Sequence, residues 1–218
     1  FHHRSQPRRI KRLGAQHRDT VARAVRATKR GEREEALEIV RPVLAYCDAL
    51  LGTGRALVSV STEAEYREHV ATAGNGDPVD WVDMACPDAY QVHAFVAVEE
   101  KRFDDALAML EKTIRLAPYW SEPLTEHGFV LNQLGRPADG LASYRSALVL
   151  SRKHEANKRA IALALRGIGY SQVELGDLAA QVVHLVDGED AGERLASRHV
   201  VVEHRPHGLV VPGEDATV

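Results

Sequence analysis

The sequence predicts an all-α fold, an α-solenoid of helix–turn–helix hairpins with a helical N-terminal extension and an irregular or short-β C-terminal tail. Three observations predict it. Apolar residues recur at helical spacing, as at Ala36, Leu37, Val40, Val43, Leu44 and Cys47. The stretch beginning at Pro87 overlays on the stretch beginning at Ser121 at a constant shift of 34 residues. Turn residues then fall where hairpins need them, at Gly31, Gly135, Pro137 and Gly176.

Composition sets the outer limits. A chain of 218 residues with 44% hydrophobic content can bury the core of one or two domains. Its longest apolar runs fall far short of a membrane-spanning helix, so no membrane span is expected. The net charge of −3 gives no general attraction to polyanions, and no nucleic-acid partner is expected. The charge is uneven, however: residues 1–33 hold eleven Lys and Arg against Asp19 and Glu32. This basic start reads as a solvated terminus, with a nucleic-acid or membrane-surface arm as the alternative. Phe1 in place of an initiating Met reads as a partial or processed chain. The two cysteines, Cys47 and Cys86, are too few for a disulfide framework and read as buried, inert thiols of a reducing compartment. A cytoplasmic location is therefore expected, with a removed export signal left open.

The overlay places Tyr90 on Leu124, His93 on His127, Ala94 on Gly128, Phe95 on Phe129, Lys101 on Gly135, Ala106 on Gly140 and Leu110 on Tyr144. Small residues at Ala94, Gly128, Ala106 and Gly140 would let the two helices of a unit approach closely. Tyr90, Leu124, Leu110 and Tyr144 would fill the space between units. His93 and His127 then read as core or interface histidines. This pattern resembles the tetratricopeptide repeat family. The stretches Asp80–Tyr90, Ala117–Trp120 and His127–Gly135 are further similar to bacterial members of undefined biochemistry. That resemblance implies a bacterial origin and no catalytic chemistry.

A third unit starts at Leu165, Ile168, Gly169, Gln172, Leu175, Gly176, Asp177 and Leu178, shifted by 41 residues from the second. The added residues around Lys153–Lys158 are expected to lengthen its first helix. The expected organisation is a flexible basic terminus (1–15), a helical hairpin or degenerate repeat (16–52) and a connecting helical segment or cap (53–86). The array follows (87–180, with units 87–120, 121–154 and a partial 162–180), then a non-repeat tail (181–218). Within 53–86, Thr62 and Glu65 form a capping-box pattern, Gly74–Pro78 a loop, and Trp81, Val82 and Met84 an apolar face that caps the array. The tail admits three readings: a hairpin, a disordered end, or a frame shift after Ala180 in place of the second helix that stacking requires.

In the repeat family the first helices line a concave groove, and the resemblance carries that role onto particular residues here. These are Gln91, Phe95, Val98 and Glu99, then Thr125, Phe129, Asn132 and Gln133, then Arg166, Tyr170, Val173 and Glu174. Phe95, Phe129 and Tyr170 would form an aromatic ladder, flanked by amides suited to a peptide backbone. The alternative is that these rings pack between helices. The family's Lys and Asn clamp for a terminal carboxylate is absent, its places being held by Gln91 and Phe95.

Catalytic signatures are missing: the sequence has no phosphate loop, dinucleotide fingerprint, His-Glu-x-x-His or Cys-x-x-Cys. His199, Glu203, His204 and His207, with His184 upstream, are the one cluster with metal-ligand character, and their strand-like surroundings favour surface histidines. No cofactor is expected. The expected function is a non-enzymatic scaffold binding a protein or peptide in the groove. A self-association module is the alternative, and a metal-dependent enzyme using the tail histidines the outsider.

Overall fold

A computed structural model describes residues 11–72, 78–155 and 158–176. Among them are eight α-helices and a two-stranded parallel sheet. The chain divides into two compact units, Phe1–Val96 with Ala108–Trp120, and Ala97–Leu107 with Ser121–Val218. The Gly74–Asp77 part of the expected loop, the second helix of the third repeat, the tail and its histidines lie outside the described residues.

In the first unit, α1 (Arg18–Lys29) and α2 (Arg33–Leu51) form a hairpin. Val21, Ala24, Val25 and Thr28 of α1 are buried, as are Ala36, Val40, Val43 and Cys47 of α2, and the two helices pack together. Steps of three and four residues put each set on a single helix face, which is why the pair closes.

The stretch expected as a connecting helical segment or cap, 53–86, holds strands as well as a helix. Strand β1 (Ala56–Ser59) pairs in parallel with β2 (Val79–Val82), and the short helix α3 (Glu63–Thr72) crosses between them. Val58, Val60, Val79 and Trp81 form a small core of their own, closed by Tyr66 and Tyr119. Trp81 and Val82 of the expected apolar face therefore sit on a strand. Branched side chains suit the pleat, and the crossover lets two short Val-rich runs bury one face together. The capping box is present at α3: Glu65 N–H donates to the Thr62 hydroxyl at 3.2 Å, and Thr62 N–H to the Glu65 carboxylate at 3.2 Å.

Leu13 lies along the other edge of β2, with its N–H on the Trp81 carbonyl at 2.8 Å and its carbonyl accepting from Asp83 N–H at 2.7 Å. Asp83, almost fully buried, accepts Arg18 Nε at 3.0 and 2.9 Å and the Ala85 N–H at 3.1 Å. It thereby caps α4 (Ala85–Glu99) while neutralising its own buried charge.

The cysteine expectation is overturned in this unit. Cys47 of α2 and Cys86 of α4 are buried, as expected, but joined in a disulfide across a Cα separation of 5.7 Å. That spacing lies within the bonding range. Nothing in the linear spacing of 39 residues announces it. The reducing-compartment argument for a cytoplasmic location loses its premise.

Three hairpins share one turn. After α1, Gly31 N–H bonds the Thr28 carbonyl at 3.0 Å and Glu32 N–H the Ala27 carbonyl at 3.0 Å. After α4, Lys101 and Arg102 make the same two bonds, at 2.9 and 2.8 Å, before α5 (Phe103–Leu116). Between α6 (Glu122–Gln133) and α7 (Pro137–Leu150), Gly135 and Arg136 make them at 3.0 and 2.9 Å. This paired closure satisfies the last carbonyls of each helix and needs a left-handed residue at its centre. Gly31 and Gly135 supply it with φ of 79° and 71°, whereas Lys101 adopts φ of 58° with a side chain attached.

In the second unit α6, α7 and α8 (Lys158–Glu174) pack in succession, α8 lying against both of the others. A π-type turn, Ser151–Glu155, and the early start of α8 take up the residues added before the third repeat. Tyr144 of α7 is the central piece. A Cβ on Gly128 of α6 would stand 2.8–3.0 Å from its ring, and one on Gly167 of α8 would stand inside the ring's van der Waals envelope. Gly140 is held as closely, since a Cβ there would meet the Gly128 carbonyl at 3.0 Å and overlap the Asn132 amide oxygen. Small residues at Gly128 and Gly140 thus do the packing work expected of them. Among the described residues no helix is long and apolar enough to cross a membrane.

Candidate functional site

Helices α6 and α8 lie side by side, tied by a reciprocal bond. Asn132 Nδ2 donates to the Ser171 hydroxyl at 3.0 Å, and that hydroxyl is placed 3.1 Å from Asn132 Oδ1 as donor in turn. Asn132 is therefore committed to joining two helices rather than held out for a ligand. Ser171 is fully buried, so the tie is made out of water, where it counts for more.

The expected groove residues of this unit divide by burial. Thr125 is buried, with its hydroxyl turned 3.5 Å toward the Ser121 carbonyl one helical turn back. Phe129 and Tyr170 are half-buried, while Gln133, Arg166 and Glu174 are exposed. Arg166, Tyr170 and Glu174 recur every four residues and share one face of α8, as Phe129 and Gln133 share one face of α6. Burial raises the Tyr170 hydroxyl above its ordinary range, and the charge and hydrogen bond of Glu174 add to this. The surface so formed has two apolar rings bordered by an amide, a cation and an anion. Glu99 also belongs to this unit and is half-buried.

In the first unit Gln91 and Phe95 stand on α4, Gln91 buried and Phe95 half-buried. The buried Gln91 Oε1 has no hydrogen-bond partner. Tyr90, expected only as packing, is buried and donates its hydroxyl to Asp48 Oδ1 at 2.7 Å, which Lys112 Nζ also reaches at 2.7 Å. Burial, then the neighbouring Asp48 carboxylate, pushes the Tyr90 hydroxyl far above its usual range. Burial acts to raise Asp48 as well, but the bonds from Lys112 and Tyr90 outweigh it and hold the carboxylate below its usual range. This fixes an ion pair and a neutral phenol in one place, an anchoring arrangement with no proton poised for transfer near neutrality.

Sequence reasoning missed Glu126. It occupies the place that Val92 holds in the first repeat and Gly167 in the third, and a carboxylate there was the available signal. Burial, then repulsion from Glu122, pushes it up to about 8. Its charge in turn raises Tyr144, whose own shift comes first from burial. His127, one residue on, bonds the Ser143 hydroxyl of α7 at 2.9 Å and is an interface histidine, as expected.

No family model matches the chain, and no curated protein matches it. Among solved structures, the chain is similar to MamA of AMB-1 at 18% identity and a TM-score of 0.37. That match covers 80% of this chain and 93% of the MamA chain.

Proposed function

We propose that this chain is a non-catalytic scaffold of tetratricopeptide type, binding a protein or peptide segment along the exposed side of α6 and α8. The observation that carries the reading is the Asn132–Ser171 tie. It holds Phe129 and Tyr170 on adjacent helices, so that two half-buried rings can serve as anchors without further ordering. Gln133, Arg166 and Glu174 around them supply a polar rim. The 34-residue sequence period and the turn shared by three hairpins support the family reading.

The test compares capture from the native cell extract by the wild-type chain and by the Phe129→Ala, Tyr170→Ala double variant, with far-UV circular dichroism on both. The reading expects the captured proteins to be lost from the variant while its helicity is kept. Unchanged capture by a variant of unchanged helicity contradicts it.

Self-association is the second reading. Its support is the exposed apolar residues Val149, Val173 and Leu175, which are 63%, 49% and 46% exposed in the second unit. Sedimentation equilibrium over a hundredfold concentration range distinguishes it, since a single monomer mass throughout would rule it out.

A further inference from the structure

We infer that the Cys47–Cys86 bond is installed by an external disulfide donor before the first unit closes, and that this chain reaches its fold in an oxidising compartment. The sulfurs are enclosed on three sides. Cys47 and Cys86 are 1% and 0% exposed, on α2 and α4 respectively. The third wall is the Leu13–Gly14 segment. A Cβ on Gly14 would lie 3.7 Å from Cys86 Sγ, in van der Waals contact, and 3.2 Å from the Tyr46 ring, so this segment packs against the bond. Gly14 also has φ of 88°, which favours glycine on its own account.

That cover is fastened. Leu13 bonds Trp81 of β2 and Asp83 just beyond it through its two backbone groups, and Asp83 is itself held by Arg18. His17 leans on Tyr46 with ring centroids 4.7 Å apart. A donor must approach a sulfur closely and in line, which this enclosure prevents once formed. Exchange therefore belongs to a state in which the segment is still lifted. One cysteine thiolate attacks the donor disulfide, giving a mixed disulfide and releasing one donor thiol; the second cysteine then displaces the other donor sulfur. The two protein thiols lose two protons and two electrons, and the donor gains both as two thiols. A donor of this class, an oxidised thiol oxidoreductase or a small disulfide, is available in oxidising compartments and scarce in reducing ones. The same enclosure keeps the bond from being undone afterwards.

Two measurements test the inference on the full chain. In protein isolated from its native cell, acid-quenched and alkylated in denaturant, both cysteines are expected to stay unmodified until a reductant is added. Alkylation of both without reductant would overturn the compartment. Separately, dithiothreitol is added to the oxidised protein with and without guanidinium. Reduction of the folded protein is expected to be at least about tenfold slower than of the unfolded chain, because it waits on opening. Equal rates would overturn the enclosure.

Discussion

The ring of Tyr144 occupies the space in which a side chain on Gly167 would stand, so α7 and α8 approach each other closely at this pair. Gly128 meets the same ring from α6, and the three helices are keyed to a single aromatic. Gly167→Ala is therefore expected to destabilise the protein. A helical alanine is intrinsically favoured over glycine by about 1 kcal/mol, but forcing a methyl group into a filled site costs about 1–3 kcal/mol. The overlap is with the body of the ring rather than a flexible chain end, so relief requires the helices to part. Thermal unfolding checks this, and a melting temperature at or above the wild-type value would refute it.

Lys101 holds the left-handed position that Gly31 and Gly135 hold in the sister turns. Its side chain meets the preceding backbone there, which glycine avoids. Lys101→Gly is expected to stabilise by about 0.5–1 kcal/mol, the lost strain exceeding the added freedom of the unfolded chain. Guanidinium unfolding measures it through the midpoint at unchanged slope; a lower midpoint contradicts the turn geometry.

Glu126 gives a pH dependence of definite sign. Its carboxyl titrates near 8 in the fold, well above its ordinary value, because of burial and then Glu122. Tyr144 and Tyr170 are the other titratable groups of this electrostatic cluster. A raised carboxyl favours the protonated folded state, so its contribution is complete at acid pH and is lost as the pH climbs toward 8. Glu126→Gln is expected to match wild type near pH 4.5 and exceed it by about 1–3 kcal/mol at pH 9. Equal stability of the two proteins at pH 9 would exclude an unfavourable charge at this half-buried site.

The disulfide closes a span of 39 residues that includes β1, α3 and β2. Restricting a loop of that length in the unfolded chain is worth about 4 kcal/mol. Replacing both Cys47 and Cys86 by Ser is expected to lower stability by about that amount, and the reduced wild-type protein should fall with it. Denaturant titration of the three forms decides the matter, and a double variant as stable as the oxidised protein would count against a stabilising link.

The parts of this fold that were legible in the sequence are those settled locally or by repetition. The close approaches at Gly128 and Gly140, the turn at Gly135 and Pro137 and the capping box at Thr62 and Glu65 all follow from residues within a few turns of each other. What stayed hidden depends on pairings distant along the chain. Val79–Val82 reads as readily as a helical face as a strand until its partner Ala56–Ser59 is known. Cys47 and Cys86 look like two separate buried thiols until α2 and α4 are set together. In the candidate site, Phe129 and Tyr170 could be chosen from the repeat, but Asn132 could not be recognised as a helix tie. Its partner Ser171 is 39 residues away.

The central claim is that Phe129 and Tyr170 anchor a protein or peptide ligand, and cross-linking of captured complexes tests it most directly. The wild-type chain is used to capture partners from its native extract, lysine-reactive and photo-reactive linkers are applied, and the linked peptides are identified by mass spectrometry. The account expects links concentrated on α6 and α8, and their disappearance in the Phe129→Ala, Tyr170→Ala variant of unchanged helicity. Links that fall elsewhere on the chain, or that persist in the variant, would contradict it.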